Sequence, residues 1–466
     1  MSPQNSTWVH WSRQIVNYEL LILLLLLPSE LFPSPFQIAP LLIIPLLWLL
    51  HKVAYGRFAG PTPFDVAILA LLLMLLVSQF ATFDIQFSLG KTTGLLYGIA
   101  VFYAAAAASG RSWRHMAAGT GILIISGLTV ATFALVGTNW IPKFPVLREI
   151  TALLPQFVFF PAAAPEGFSP NPVAGTLLWV LPVFIVVATI SYKELDRWQA
   201  RLGRRPATVI LALSLAALIF MTGIFLLTQS RGGWAGLAVA MLFLFLVFRG
   251  KRWYVMLAVS LIFALLVMGA IWWLVSDETP PEPGWAGEEA LEIPGTASLQ
   301  NSLELRLEIW NRALYGIQDY PLTGMGMGTF RRVAPVLYPL LLTPFDKDIA
   351  HAHNHLLQTA LDLGLPGLAA YLALWLLAGI LLWQVWRTAG TERARYLAVG
   401  FAAGLLGYFV YGLTDTIALG AKPGSIFWLL LGLVAGLHRL AEVRGRAASA
   451  PSPHRSHGSS ATTIGS

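Results

Sequence analysis

The 466-residue sequence contains no cysteine, which excludes disulfides, thiolate metal sites and cysteine nucleophiles. Charge is nearly as scarce. Only 11% of the residues are Asp, Glu, Lys or Arg, against about 25% in soluble domains, so an ordinary soluble domain is excluded too. The period-2 alternation of an outer-membrane barrel is missing. There is no internal repeat, and no matched pair of Gly/Pro-broken helices in two halves to suggest an inverted-repeat transporter. The N-terminus lacks a basic, hydrophobic and small-residue cleavage pattern, so the first apolar segment is expected to be retained.

What is present is apolar. Hydrophobic residues make up 56% of the chain, with 17 Trp and 26 Phe. Runs able to cross about 30 Å of hydrocarbon fall near 15–27, 37–51, 64–80, 91–109, 115–136, 172–191, 207–227, 232–248, 253–275, 367–386, 395–413 and 424–440. The expected fold is an all-α polytopic membrane protein of about twelve transmembrane helices with a large late periplasmic or extracellular loop.

Lys and Arg cluster in alternate connections. Lys52 and Arg57, Arg111 and Arg114, Lys193 to Arg205, Arg249 to Arg252, Arg387 to Arg395, and Arg439 to Arg446 mark one side. Lys91, Arg231 and Lys422 stand alone in the short connections between them. The positive-inside rule then puts both termini in the cytoplasm. The net charge of +7 is mostly this decoration. It suits anionic lipid head groups rather than nucleic acid.

Residues 1–441 read as one transmembrane domain that includes the external loop 276–366, and 442–466 as a disordered cytoplasmic tail. In that loop, residues 277–297 are acidic and rich in Pro and Gly. A helix is expected from a capping-type Asn301/Glu304 pair, with Leu303, Leu307, Trp310, Leu314 and Ile317 on one stripe. Arg306 borders that stripe and Arg312 lies opposite. Pro321 to Phe330, with Gly324, Gly326 and Gly328, reads as a tight connection rather than a nucleotide loop.

The loop closes on Ala350-His351-Ala352-His353-Asn354-His355, which is expected to open a helix ended by Gly364 and Pro366. If the whole segment is helical, His353 shares a face with Leu357 and Ala360, while His355 points about 200° away. The helix N-terminus would attract a phosphate, and a neutral imidazole beside an anion suits a general base. The competing reading of His353 is a structural histidine bonded to a loop carbonyl. His351 and His355 read as interfacial polar residues. A metal site from His351, His353 and Asp346 or Asp348 would need extended backbone to converge.

Gln229-Ser230-Arg231-Gly232-Gly233 places a guanidinium at the external mouth, suited to forked bonding with a pyrophosphate. A snorkelling arginine is the alternative. Arg306 could instead pair with Glu304 or Glu308. Arg331 and Arg332 read as solvated, though either could reach a phosphate. Asn171 reads as a helix-start residue, and Asp415 and Lys422 as a simple pair.

Four segments together resemble the O-antigen ligase/polymerase family: Gly167-Phe168-Ser169-Pro170-Asn171-Pro172, the Ser-Arg-Gly-Gly segment, the run from Arg306 through Trp310 to Gly326, and the run from His353-Asn354 through Leu357-Gln358 to Gly364-Leu365-Pro366-Gly367. The resemblance implies a membrane-embedded GT-C type glycosyltransferase without metal or cofactor, located in the cytoplasmic (inner) membrane. Its donor would be a glycan on undecaprenyl pyrophosphate, and its acceptor a hydroxyl on a glycan, lipid or protein. Carried over by motif, His353 activates the acceptor while Arg231 and Arg306 hold the pyrophosphate. Asn354, Arg332, Asn171 and His351 are possible supports. A membrane transporter for inorganic carbon or another small solute is the alternative, although mid-span ionisable residues are few. A non-catalytic subunit of polysaccharide export comes last.

Overall fold

A computed structural model describes residues 7–31, 39–138, 140, 151, 153–154, 167–248, 297–341 and 349–449. Residues 26–31, 39–41, 297–303 and 443–449 are described as backbone only. The described chain is helical throughout: α1 (Thr7–Asn17), α2 (Glu19–Leu31), α3 (Ala39–Tyr55), α4 (Asp65–Ala81), α5 (Ile85–Ser109), α6 (Trp113–Gly137), α7 (Pro170–Leu178), α8 (Leu181–Lys193), α9 (Leu195–Leu202), α10 (Arg204–Leu227), α11 (Arg231–Phe248), α12 (Ala297–Asp319), α13 (Phe330–Leu337), α14 (His355–Thr388), α15 (Glu392–Gly412) and α16 (Gly424–Ser449). The only extended pairing among these residues is an isolated contact of Thr138 with Gly167 and Phe168.

Among the described residues, seven helices are long and apolar enough to cross a membrane: α5, α6, α10, α11, α14, α15 and α16. The pair α7–α8, bent by 41°, would make an eighth. Helices α3 and α4 are shorter apolar segments. The chain is a multi-pass membrane protein. The run expected at 253–275, the acidic stretch 277–296 and the tail beyond Ser449 lie outside the described residues.

Small residues let the spans approach closely, as is usual where lipid gives no hydrophobic drive between helices. A methyl group on Gly432 of α16 would lie 2.6 Å from the Phe102 carbonyl oxygen of α5, and one on Gly236 of α11 would overlap the Gly407 carbonyl oxygen of α15. Between these contacts sits an aromatic core in which Trp179 stacks on Tyr408 at 4.1 Å. Outward faces stay apolar, as with Leu213 and Ile219 on α10, which suits lipid contact.

The helix ends sort into two groups. At one end, Lys193 and Glu194 meet Tyr396 and Arg393, and Gly110 packs on Arg439 and Gly436. This is the end with the clustered Lys and Arg. At the opposite end, α5, α7, α11, α14 and α16 begin and α6, α10 and α15 finish. There Tyr411 donates to the Asn171 carbonyl at 2.9 Å, and Gly420 packs on the Lys91 backbone. Helices α12 and α13 join this second end through Ser88, whose hydroxyl donates to the Met327 carbonyl at 2.9 Å.

Candidate active site

Two loop motifs build the platform. Gly324 (φ +67°) and Gly364 (φ +72°) both lie in the left-handed region, which L side chains rarely adopt. They face each other so closely that a methyl on Gly324 would lie 2.6 Å from the Gly364 nitrogen. The Met325 N–H donates to the Leu361 carbonyl at 2.6 Å and the Leu365 N–H to the Pro321 carbonyl at 2.7 Å. The glycine run is therefore the tight connection expected, docked into a break in α14 at Gly364.

Just before that helix, the histidine segment departs from expectation. Asn354 is the N-cap: its Oδ1 accepts from Leu356 N at 2.9 Å and Leu357 N at 3.1 Å. The helix thus starts at His355, one residue after the asparagine, and His353 is not on a helical face with Leu357 and Ala360. Two of the N–H groups expected to attract a phosphate, those of Leu356 and Leu357, already have a partner. Asn354 also donates through Nδ2 to the Leu413 carbonyl at 3.1 Å, fixing the loop to the end of α15. His355 is not interfacial but buried, with Nδ1 2.9 Å from the Tyr371 hydroxyl and the rings of Trp375 and Phe409 edge-on around it.

Because the backbone at 351–353 is not helical, His351 and His353 converge. His353 has φ +48°, a strained value for a non-glycine residue. Its Nδ1 lies 3.3 Å from Asp415 Oδ1, within ion-pair range although not aligned as a formal hydrogen bond. His351 Nε2 lies 3.7 Å from the same oxygen. The His353 backbone N–H donates to His351 Nδ1 at 3.3 Å, which leaves the His351 proton on Nε2, facing the carboxylate.

Asp415, open in the sequence as a simple partner for Lys422, is the hub of this group. Its Oδ1 accepts from Thr416 N at 2.8 Å and its Oδ2 from Asn171 Nδ2 at 2.9 Å. Burial works to raise the Asp415 carboxyl, but the contact with His353, the charge of the two histidines and the Thr416 N–H outweigh it and hold it at about 2. His351 is pushed down to about 4, first by burial and then by the charges of His353, Lys91 and Arg306, against the opposing pull of Asp415. The charges of Lys91 and Arg306 therefore reach His351.

Arg231 opens α11, next to a second strained non-glycine residue, Gln229 at φ +51°. Gly232 lets this turn approach the Asp415 loop: a methyl there would overlap Thr414 Oγ1. Arg231 also feels the charge of Arg306. On α12 the buried side is Ile309, Ala313 and Gly316, not the expected stripe, since Leu307 is 57% and Leu314 48% exposed. Arg306 is half-buried, one turn before Ile309 and on its side of the helix. Glu308 pairs with Arg312 at 3.9 Å. Arg312 is half-buried, not on an open face. Arg332 is exposed, with its guanidinium 5.0 Å from the Phe87 ring.

The structure thus brings together His353, His351, Asn171 and Asp415 by direct contact, and Arg231 and Arg306 electrostatically. Asn354 supports them as cap and tether, and Arg332 stands apart. Among the described residues, His351, His353 and Asp415 offer ligand atoms within 4.8 Å of one another, a spacing a divalent ion can accept. Asp346 and Asp348, which have Asp-x-Asp spacing in the sequence, lie outside the described residues.

An imidazole held against a buried carboxylate can take a proton on its other nitrogen while the carboxylate stabilises the imidazolium. Cations beside it suit an anionic leaving group. No curated protein matches the chain. Residues 216–372 match the family described as O-antigen ligase, a stretch that holds Arg231, Arg306, His351, His353 and Asn354. The chain is therefore a multi-pass membrane protein whose residues 216–372 are similar to the O-antigen ligase family.

Proposed function

We propose that the protein is a glycosyltransferase that moves a glycan from undecaprenyl pyrophosphate to an acceptor hydroxyl at the outer face of the cytoplasmic membrane. His353, set against Asp415, acts as general base. The acceptor O–H loses its proton to His353 Nε2, and its oxygen attacks the anomeric carbon of the donor glycan. The bond from that carbon to the pyrophosphate oxygen breaks, and the electron pair leaves with undecaprenyl pyrophosphate. Arg231 and Arg306 bind that leaving group and stabilise the charge that grows on it. The reaction needs no metal in this scheme.

The observation that carries the reading is the convergence of a strained histidine, a buried carboxylate and two arginines within the matched stretch 216–372 and its immediate surroundings. The outward orientation is supported by the position of this group at the bundle end opposite the clustered Lys and Arg, which the positive-inside rule assigns to the cytoplasm. A total of about twelve spans, with cytoplasmic termini and an external loop at 276–366, belongs to the same proposal.

The test is transfer by purified protein in detergent or nanodiscs, given an undecaprenyl-pyrophosphate glycan and an acceptor glycan. The parent is expected to form the glycoside and release undecaprenyl pyrophosphate, and His353→Ala is expected to fold and form neither. Transfer by His353→Ala at the parent rate would end the base assignment.

A further inference from the structure

Between the glycine run and the histidine pair lies a buried relay that the proposed chemistry does not use. Gln358, in the second turn of α14, is 2% exposed. Its Oε1 accepts from the backbone N–H of Ala352, the residue between the two histidines, at 2.8 Å. Its Nε2 donates to Asp362 Oδ1 at 2.8 Å. The same Asp362 oxygen accepts from Gly328 N, also at 2.8 Å. Asp362 is itself buried and faces the Lys91 charge. Three hydrogen bonds therefore run from the glycine connection, through two buried side chains, to the peptide linking His351 and His353.

A left-handed non-glycine residue costs about 1–3 kcal/mol and persists only where its surroundings over-determine it. His353 has such a backbone, and its contact with Asp415 depends on it. The Ala352 N–H bond to Gln358 clamps the turn on one side, and the Asn354 tie to Leu413 clamps it on the other. Nothing in helix packing requires a glutamine at 358. An apolar side chain would fill the space but strand the Ala352 N–H and one acceptor of Asp362.

We infer that Gln358 and Asp362 are positioning residues that hold the His351–His353 turn so that the His353 imidazole faces Asp415. The inference rests on the transferase reading and adds to it the part of the fold that sets the base. Neither side chain touches substrate. They act through the backbone of Ala352 and, at the other end of the relay, through Gly328.

The experiment compares transfer by four purified full-length variants with the parent, using the same lipid-linked donor and glycan acceptor: Gln358→Leu, Asp362→Asn, the double variant Gln358→Glu with Asp362→Asn, and His353→Ala. Rates are normalised to folded protein by gel filtration. Gln358→Leu is expected to lose kcat by about a hundredfold, the effect of a misplacement near 1 Å, with donor KM changed by less than about threefold. Asp362→Asn retains an Oδ1 acceptor for both bonds and is expected to lose less. In the double variant, the carboxylate introduced at position 358 accepts from Ala352 N and from the amide introduced at position 362, which turns its nitrogen to the site of Asp362 Oδ1 and gives up the Gly328 N bond. The two bonds that reach Ala352 re-form, and kcat is expected to recover by about tenfold or more over Gln358→Leu.

A purely structural role would lower the yield of folded protein while leaving kcat per folded molecule near the parent value, and that result overturns the inference. So does a double variant no faster than Gln358→Leu, or a loss seen only in donor KM. Should Gln358→Leu not fold, Asp362→Ala takes its place, because it removes the acceptor of both Gln358 Nε2 and Gly328 N: a kcat loss of about tenfold or more per folded molecule supports the relay, and a near-parent kcat refutes it. Full activity in His353→Ala would instead end the base assignment, and a parent that transfers nothing would end the transferase reading.

Discussion

Replacing Asp415 with asparagine removes a negative charge that both histidines face. Asp415 Oδ1 lies 3.3 Å from His353 Nδ1, and at an effective dielectric of about 20 that separation corresponds to about 5 kcal/mol of attraction to an imidazolium. The His353 side chain is 29% exposed, and solvent screening roughly halves the figure, leaving about 2–3 kcal/mol or close to a hundredfold in rate. The expected result for Asp415→Asn is a kcat lower by about that factor with donor KM little changed, because the interaction matters only once the base takes its proton.

The substitution has a second effect, which must be separated from the first. The amide introduced at position 415 would turn its nitrogen towards Asn171 Nδ2, which donates to Asp415 Oδ2 in the parent. Adding Asn171→Ala removes the opposed donor at that point without placing another carboxylate near the histidines. The double variant is expected to fold like the parent and to remain slow. A transfer assay with mass-spectrometric detection of the glycoside reads both variants. Asp415→Asn with a kcat within about threefold of the parent, or full recovery in the double variant, would refute the electrostatic role.

Further predictions concern pH and packing. His351 is held at about 4, below its ordinary 6.5. Between those values the unfolded chain takes up a proton that the folded protein refuses, so stability rises with pH across that window by up to about 3 kcal/mol. Asp415, at about 2 rather than 3.8, contributes stability that is fully present above 3.8 and is lost as pH falls towards 2. Melting followed by tryptophan fluorescence should show both slopes, and His351→Gln should flatten the upper one; an unchanged upper slope in that variant would contradict the assignment. Gly420→Ala would drive a methyl into the Lys91 carbonyl oxygen, a backbone contact that cannot yield cheaply. Its melting temperature should fall, with overpacking costing about 1–3 kcal/mol, and a parent-like melting curve would mean that the 418–422 turn does not pack on α5 as described.

Much of this arrangement can be traced to particular residues. The apolar runs predict helices where the described chain has them, because a span in lipid must satisfy its own backbone hydrogen bonds. Arg231, Arg306 and His353 announce themselves as polar groups in an apolar chain. Asp415 does not, since its role depends on the approach of α15 to a loop some sixty residues earlier, and no local pattern encodes that contact. Asn171 is visible only as a helix-start residue for the same reason: its partner, Asp415, lies at the far end of the chain's course.

The histidine turn is partly legible. Asn354 followed by Leu356 and Leu357 is an N-cap signal; it starts the helix at His355 and frees His351 and His353 to converge. On α12 two overlapping stripes compete. Hydrophobicity favours the one with Leu303, Leu307 and Leu314. The chain buries the side with Ala313 and Gly316, whose small side chains allow close approach: Gly316 lies where a methyl would be 2.9 Å from the Leu361 side chain. Size, not apolarity, decides that face.

The central claim is that His353 and Asp415 work as one catalytic unit. A double-mutant cycle on kcat tests it most directly, with His353→Gln, Asp415→Asn and the pair combined. If the two act together, the combined variant is expected to be no slower than His353→Gln alone, because removing the carboxylate matters only when the imidazole is there to be charged. Losses that multiply, with the combined variant slower than His353→Gln by the full factor of Asp415→Asn, would contradict the account.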